Sequence, residues 1–285
     1  MMRKFFKSLL PAAGGMAMLM ATTANAGLED GKLVVAADVG FAPHVMAKPG
    51  GGYEGYNVDM IEEIARRLGV EYEIVDQEWS GIFAGLNAEK YDLIIAPTTV
   101  TEERAQNLLF MEGYLDQNYQ FLKKKGAPDY KTLDDLKGLT IAVNRGNLYD
   151  KWVTENAEKY DWEIQRYGKN VDALQAVATG RADLNIAGQT AIGWTAAKSP
   201  MLELSVVVPT GDVMSTPFRK DDTDLRNRIE AVVECMKKDG FFSELSEKWI
   251  GQPLPEDAAG YVVQPGYGQP GFEGHDPTEH EPNCG

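Results

Sequence analysis

The chain has 285 residues, with 28 Lys plus Arg against 43 Asp plus Glu and a formal charge of −15 at neutral pH. That length can bury a full core as one large domain or two lobes. The acidity argues against a nucleic-acid partner, because phosphate backbones recruit basic stripes and the longest run here is Lys123-Lys124-Lys125.

At the start, Arg3, Lys4 and Lys7 precede an apolar run from Leu9 to Met20 that ends in Ala24-Asn25-Ala26, which predicts a cleavable secretory signal over residues 1–26. The run is shorter than the roughly 20 residues that span a bilayer, and Pro11, Gly14 and Gly15 interrupt it. Cleavage removes three positive charges, takes the net charge from −15 to −18, and implies a periplasmic location.

From Lys32 onward short apolar strands alternate with amphipathic helices, the pattern of α/β architecture with largely parallel sheets. Leu33 to Ala37 reads as a strand, followed by a Gly/Pro-containing turn from Gly40 to Gly55. Asn57 to Leu68 reads as a helix with Met60, Ile61, Ile64, Ala65 and Leu68 on one face, closed by Gly69. A strand from Glu71 to Val75, a helix near Ile82 to Ala88 and a strand from Leu93 to Ala96 complete the first block. The second block follows Phe121 and Leu122: a short helix at Leu133 to Leu136, strands at Thr140 to Val143, Glu163 to Tyr167 and Leu184 to Ile186, and helices at Asn147 to Asn156, Val171 to Thr179 and from Thr190.

Leu225 to Ile250 is helical again, with Ile229, Val232, Val233 and Met236 at three- and four-residue spacing. The last 34 residues, Gln252 to Gly285, carry six Pro, six Gly and six acidic residues without Lys or Arg, a composition that predicts a tail without periodic structure.

Three blocks carry a resemblance: Gly55-Tyr56-Asn57-Val58-Asp59-Met60, Trp79-Ser80-Gly81-Ile82, and Thr98-Thr99-Val100-Thr101-Glu102-Glu103-Arg104. In order and spacing they resemble the polar amino-acid family of bacterial extracellular solute-binding proteins, over about Lys32 to Gly251. Asn57 departs from that family, which usually has an acid there. The resemblance implies a two-lobed periplasmic-binding-protein clamshell of type II with the ligand cleft between the lobes. Lobe one would comprise residues 27–119 and the returning helices at 214–251, lobe two residues 120–213, and residues 252–285 the tail. Two hinge crossings are expected near Asn118 to Phe121 and Asp212 to Thr216. The implied function is the solute-binding component of an ABC importer, a monomer that passes a small polar solute with a carboxylate to a membrane permease.

The resemblance also implies site residues. Arg104 would grip a ligand carboxylate through two parallel charge-assisted hydrogen bonds, the alternative being a surface ion pair beside Glu102 and Glu103. Thr99 matches a hydroxyl donor to the same carboxylate, and the carbonyl of Pro97 an acceptor for the ligand's amino group. Phe41 and Trp79 match aromatic walls, or else serve as core residues. Asp38 could accept from a ligand cation or cap a local turn. In lobe two, Leu148 stands where the family has a hydroxyl, leaving Arg145 and Asn147 to compensate. Gly188 stands where the family's acid would meet an α-ammonium, leaving that nitrogen to Gln189, Asp38 and Pro97. A ligand without a primary ammonium would fit equally.

Cys235 and Cys284 are the two cysteines, and an exported location makes one disulfide between them the expected state. The alternative is a buried thiol at Cys235 and an exposed one at Cys284. His44 reads as a pocket wall or surface residue. His275, Asp276, His280, Glu281 and Cys284 fit no standard structural zinc spacing, so neither metal nor cofactor is expected. An enzyme resembling periplasmic cyclohexadienyl dehydratases, and a partner protein of a dehydrogenase or sensor that docks through its tail, are the competing functions.

Overall fold

The unbroken apolar run Leu33 to Ala37 makes β1 (Lys32–Ala37) the centre of a parallel ladder with β4 (Glu71–Asp76) and β5 (Leu93–Ile94). The computed structural model describes residue 28 and residues 30–284, so the expected signal at 1–26 lies outside the described residues. Between β1 and β4 come a small hairpin, β2 (Met46–Ala47) with β3 (Tyr53–Glu54), and helix α1 (Tyr56–Leu68). Helix α1 buries Met60, Ile61, Ile64 and Ala65, each large side chain contributing about 1.5–3 kcal/mol. Gly69 ends it at φ 69°, donating its N–H back to the last turn.

The chain continues through α2 (Trp79–Asn87), β6 (Thr98–Thr99), α3 (Glu102–Ala105), β7 (Leu108–Phe110) and the ten-residue strand β8 (Leu115–Lys124). It then builds β9 (Thr140–Asn144), α4 (Leu148–Tyr160), β10 (Glu163–Tyr167), α5 (Asn170–Ala178), β11 (Leu184–Gly188) and α6 (Gln189–Lys198). The long strand β12 (Leu202–Ser215) returns to β13 (Pro217–Arg219), α7 (Thr223–Lys238) and α8 (Phe241–Ile250). One sheet has the order β4-β1-β5-β13-β7 and the other β10-β9-β11-β8-β12-β6.

Each sheet has its own core, one around Val35, Ile61, Ile94 and Phe218, the other around Phe121, Val143, Val177 and Ile186. These are the two lobes of a type II clamshell. On β8 the core changes between Leu115 and Tyr119, and on β12 between Val208 and Met214, so the paired strands β8 and β12 form the two crossings. Their ladder loses register twice, between Leu204 and Val207 inside the second lobe and between Pro209 and Asp212 where the core changes, and the break at the crossing is a natural place for the lobes to bend.

One expectation about the fold needs correction. The sheets are mixed rather than largely parallel, because β8, β12 and β13 return antiparallel to their neighbours. The segment Leu225 to Ile250 is helical as expected, and Gly240 at φ 82° divides it into α7 and α8. The tail lacks helix and regular strand, as its composition predicts, and Cys235 and Cys284 are joined in the expected disulfide; beyond that, its backbone packs closely on α7. Composition could not show this, because what orders the tail is a stripe of charges on α7, Arg226, Glu230, Glu234 and Lys237, all buried.

Candidate ligand-binding site

The lobes meet over a cleft that encloses about 430 Å³ of unfilled space, part of it open to solvent. Asp38, Phe41, Trp79, Pro97, Thr99 and Arg104 line it from the first lobe, and Asn144, Asn147, Leu148 and Tyr149 from the second. Most of these residues sit just beyond the carboxyl ends of strands or at helix starts, where open α/β sheets place ligands.

Arg104 is held from three sides. Its backbone N–H donates to the Thr101 hydroxyl, which caps α3, and Nη1 donates to the carbonyl of Thr99 at 2.8 Å. The guanidinium carbon lies 5.6 Å from the Trp79 ring centre and 5.4 Å from that of Phe83. Trp79 and Phe83 are four residues apart on α2, a spacing that places both on one helix face and could have flagged Phe83 in the sequence. Burial lowers the guanidinium pKa to about 10, so the group stays charged at neutral pH. Arg104 is only half-buried where it lines the cleft, and among the described residues no carboxylate forms an ion pair with it.

Asp38 is 3% exposed. Its Oδ2 accepts from Asn144 Nδ2 of the opposite lobe at 2.9 Å and from the Trp79 N–H at 3.4 Å. Oδ1 has no hydrogen-bond partner among the described residues; Lys169 Nζ stands off at 3.9 Å. Burial pushes this carboxyl up, against the opposing hydrogen bond from Asn144. Asn144 Oδ1 and Trp79 Nε1 are likewise buried without partners. Two acceptors and a donor therefore stand unused in a low-dielectric space, a costly arrangement that a polar ligand would relieve. Asn144 was not singled out from sequence; its signal was a polar residue ending the apolar strand β9.

The second lobe's wall carries no charge. Asn147 caps α4 by accepting from the Asp150 N–H at 2.8 Å, and Leu148 and Tyr149 follow it into the cleft. At Gly188 a Cβ would come within 2.8 Å of the Tyr149 hydroxyl and 3.1 Å of Gln117 Oε1. Gln117 Nε2 donates to that hydroxyl at 2.7 Å, so the space an acid at 188 would need is filled by Tyr149. Two expected site residues lie elsewhere. Arg145 is exposed, because it is the first residue past β9 and turns outward while Asn144 turns in. Gln189 begins α6 on the surface, where Oε1 accepts from Asn118 Nδ2 at 3.0 Å.

Side chains bridge the lobes around this cleft. Lys169 donates to both oxygens of Asp76 at 2.7 and 2.8 Å, Lys151 pairs with Glu103, and His44 Nε2 meets the Thr190 hydroxyl at 2.9 Å. His44 is fully buried, neither the pocket wall nor the surface residue expected from sequence. Its Nδ1 bonds Asn57 Oδ1 at 2.9 Å, and Asn57 donates to Tyr114 at 2.7 Å. Since Asn57 presents its oxygen, Nδ1 carries the proton and Nε2 accepts from Thr190. Burial lowers the His44 pKa to about 4, which keeps the ring neutral, and a neutral Asn suits that partner.

Two lobes, two crossing strands and a closed polar cleft define a protein that clamps a small molecule. The model of the bacterial extracellular solute-binding proteins, family 3, matches residues 33–252, and the chain belongs to that family. The L-cystine-binding protein TcyJ of Escherichia coli K12 is 29% identical over 229 residues, covering 78% of this chain and 84% of TcyJ. Among solved structures, a mutant of ArgBP from T. maritima superposes with a TM-score of 0.73 at 35% identity, covering 79% of this chain and 97% of that one. The ancestral amino acid-binding protein AncCDT-1, a precursor of cyclohexadienyl dehydratase, gives 0.72 at 30% identity, covering 78% and 97%.

Proposed function

We propose that this protein is the solute-binding component of an ABC importer, exported by residues 1–26 to the periplasm, where as a monomer it delivers an amino acid or related small zwitterion or carboxylate to a membrane permease. In this reading lobe one is 27–119 with 214–251, lobe two is 120–213, and closing the cleft presents the form a permease recognises. The observation that carries the reading is one guanidinium and one carboxylate, Arg104 and Asp38, in the same cleft, where three buried polar atoms stand unpartnered. A zwitterion matches both charges. Arg104 would take the carboxylate, with Thr99 beside it. Asp38 Oδ1, Asn144 Oδ1 and the Pro97 carbonyl would take a cationic nitrogen, and Phe41 and Trp79 would wall its carbon skeleton.

The test is a thermal-shift screen of amino acids, betaines, ectoine-like zwitterions and organic acids. A true ligand at 100 times its Kd adds about 2.7 kcal/mol of stability. A screen in which no zwitterion or carboxylate shifts the transition overturns the assignment. The likeness to AncCDT-1 favours one second reading, an enzyme on the same scaffold. Incubation with prephenate or arogenate separates the two, since a binding protein yields no aromatic product.

A further inference from the structure

The tail lies beyond the segment that the family model matches, yet it covers some of the most deeply buried charge in the molecule. Lys237 Nζ, on α7, pairs with Glu112 at 2.9 Å and donates to the carbonyls of Gly113 at 2.6 Å and of Val262, in the tail, at 2.8 Å. Glu112 in turn accepts from the tail amide of Gln264 at 2.5 Å. Glu230 accepts from the amides of Glu112 at 2.8 Å and of tail residue Gly268 at 2.7 Å. Arg226 donates to the carbonyls of Phe110 and of tail residue Gly274 at 3.0 and 3.1 Å. Near the tail's end His280 pairs with Glu234 at 2.9 Å and stacks on Tyr267.

These bonds converge on one short stretch, residues 110–116, which leads into the first crossing strand. The tail also touches it directly: Gln269 Oε1 accepts from the Gly113 amide at 2.8 Å, and the Ala259 amide reaches Asp116 Oδ2 at 3.4 Å. Gly113 is wedged between the tail and the second crossing strand, since a Cβ there would come within 2.6 Å of Val213 Cγ2 and 3.2 Å of Gln269 Oε1. The fit is close along the tail as well. Gly268 adopts φ +81°, and a Cβ on it would lie 2.4 Å from Arg226 Nη1 and 3.0 Å from the Phe110 carbonyl. The glycines that deny the tail a periodic pattern are what lets its backbone approach.

We propose that the tail is a disulfide-tethered brace that fixes the lobe-one base of both crossing strands, confining lobe bending to the register break above it and so setting the lobe angle from outside the cleft. The anchored residues, 112–116 and Val213, lie on the lobe-one side of the break between Pro209 and Asp212. Residues 118–124 and 202–209 lie on the other side, with no tail residue among the hydrogen-bond partners described for them. A hinge bends sharply only where one side is held. The Cys235–Cys284 bond holds the brace, closing a span of 49 residues onto the same helix that supplies Arg226, Glu230 and Lys237.

The test needs no ligand. Full-length Cys284→Ser and Gln269→Ala are compared with the parent by hydrogen exchange and by small-angle X-ray scattering. Gln269→Ala keeps the disulfide and every buried charge, so it serves even if Cys284→Ser misfolds. At least tenfold faster exchange of the Glu112 and Gly113 amides, unchanged exchange in β9 and α4, and a larger radius of gyration are expected. Unchanged exchange at Glu112 and Gly113 overturns the proposal, and so does faster exchange there with an unaltered scattering profile, which would make the tail local packing alone.

Discussion

The cleft and the seam beneath the tail both bury charge between surfaces, and they treat it oppositely. Under the tail, Glu112 faces Lys237, Glu230 faces backbone amides, and Arg226 faces backbone carbonyls, so the chain itself meets each charge. In the cleft, Arg104 and Asp38 each keep bonding capacity unused, and Asn144 Oδ1 and Trp79 Nε1 stand without partners. In the seam the chain pairs each charge with another of its own groups, although His280 Nδ1 lies buried there without a hydrogen-bond partner, whereas in the cleft the charged groups face one another across unfilled space. Buried charge alone does not distinguish them; the state of its partners does.

The largest effect expected on the cleft side of this comparison is from Arg104→Ala. On the proposed reading it removes the charge-assisted pair with a ligand carboxylate, worth about 2–5 kcal/mol. Calorimetry with the best hit from the thermal screen should show binding lost while circular dichroism stays unchanged. Preserved affinity would return Arg104 to the class of structural residues. On the seam side, Cys284→Ser should lower unfolding free energy by up to about 4 kcal/mol, the chain-entropy figure for a loop of about 50 residues, read by urea titration.

His44 gives a pH test that sharpens the comparison, because it is buried and neutral in the region where the lobes meet. Its folded pKa, about 4, lies below the ordinary 6.5, so the unfolded chain takes up the proton first. The stability it contributes is present above pH 6.5 and is lost as pH falls towards 4, by about 3 kcal/mol. The acid limb of a melting-temperature profile should be shallower in His44→Gln, and identical limbs would refute the burial account. The smallest effect is Gly268→Ala, where positive φ and the contact with Arg226 should cost about 1–3 kcal/mol by denaturant titration.

The alternation of strands and helices was legible because each element carries its period in its own residues, as α1 does through Met60, Ile61 and Ile64. Mixed strand direction was not, since whether β8 runs with or against β11 depends on a return path no local pattern records. In the cleft, seven of the nine expected residues line one space, and Arg145 and Gln189 do not. Both misses are one-residue effects, Arg145 beside the inward Asn144 and Gln189 beside the crowded Gly188. Strand spacing can identify such a loop but not which neighbour turns in. The tail was the least legible part, because its order comes from charges on α7 whose periodicity, read by itself, looks like a solvated helix face.

That charged face has a consequence for assembly while the chain is being made. Helix α7 is synthesised before the residues that cover it, because Cys284 follows Cys235 by 49 positions. For that interval the uncovered face presents Arg226, Glu230, Glu234 and Lys237 to water, where ionised side chains are well solvated. An apolar face waiting equally long for its cover would invite association with other chains. Charge at this seam thus keeps the unfinished protein soluble until the last part of the chain arrives to replace the water.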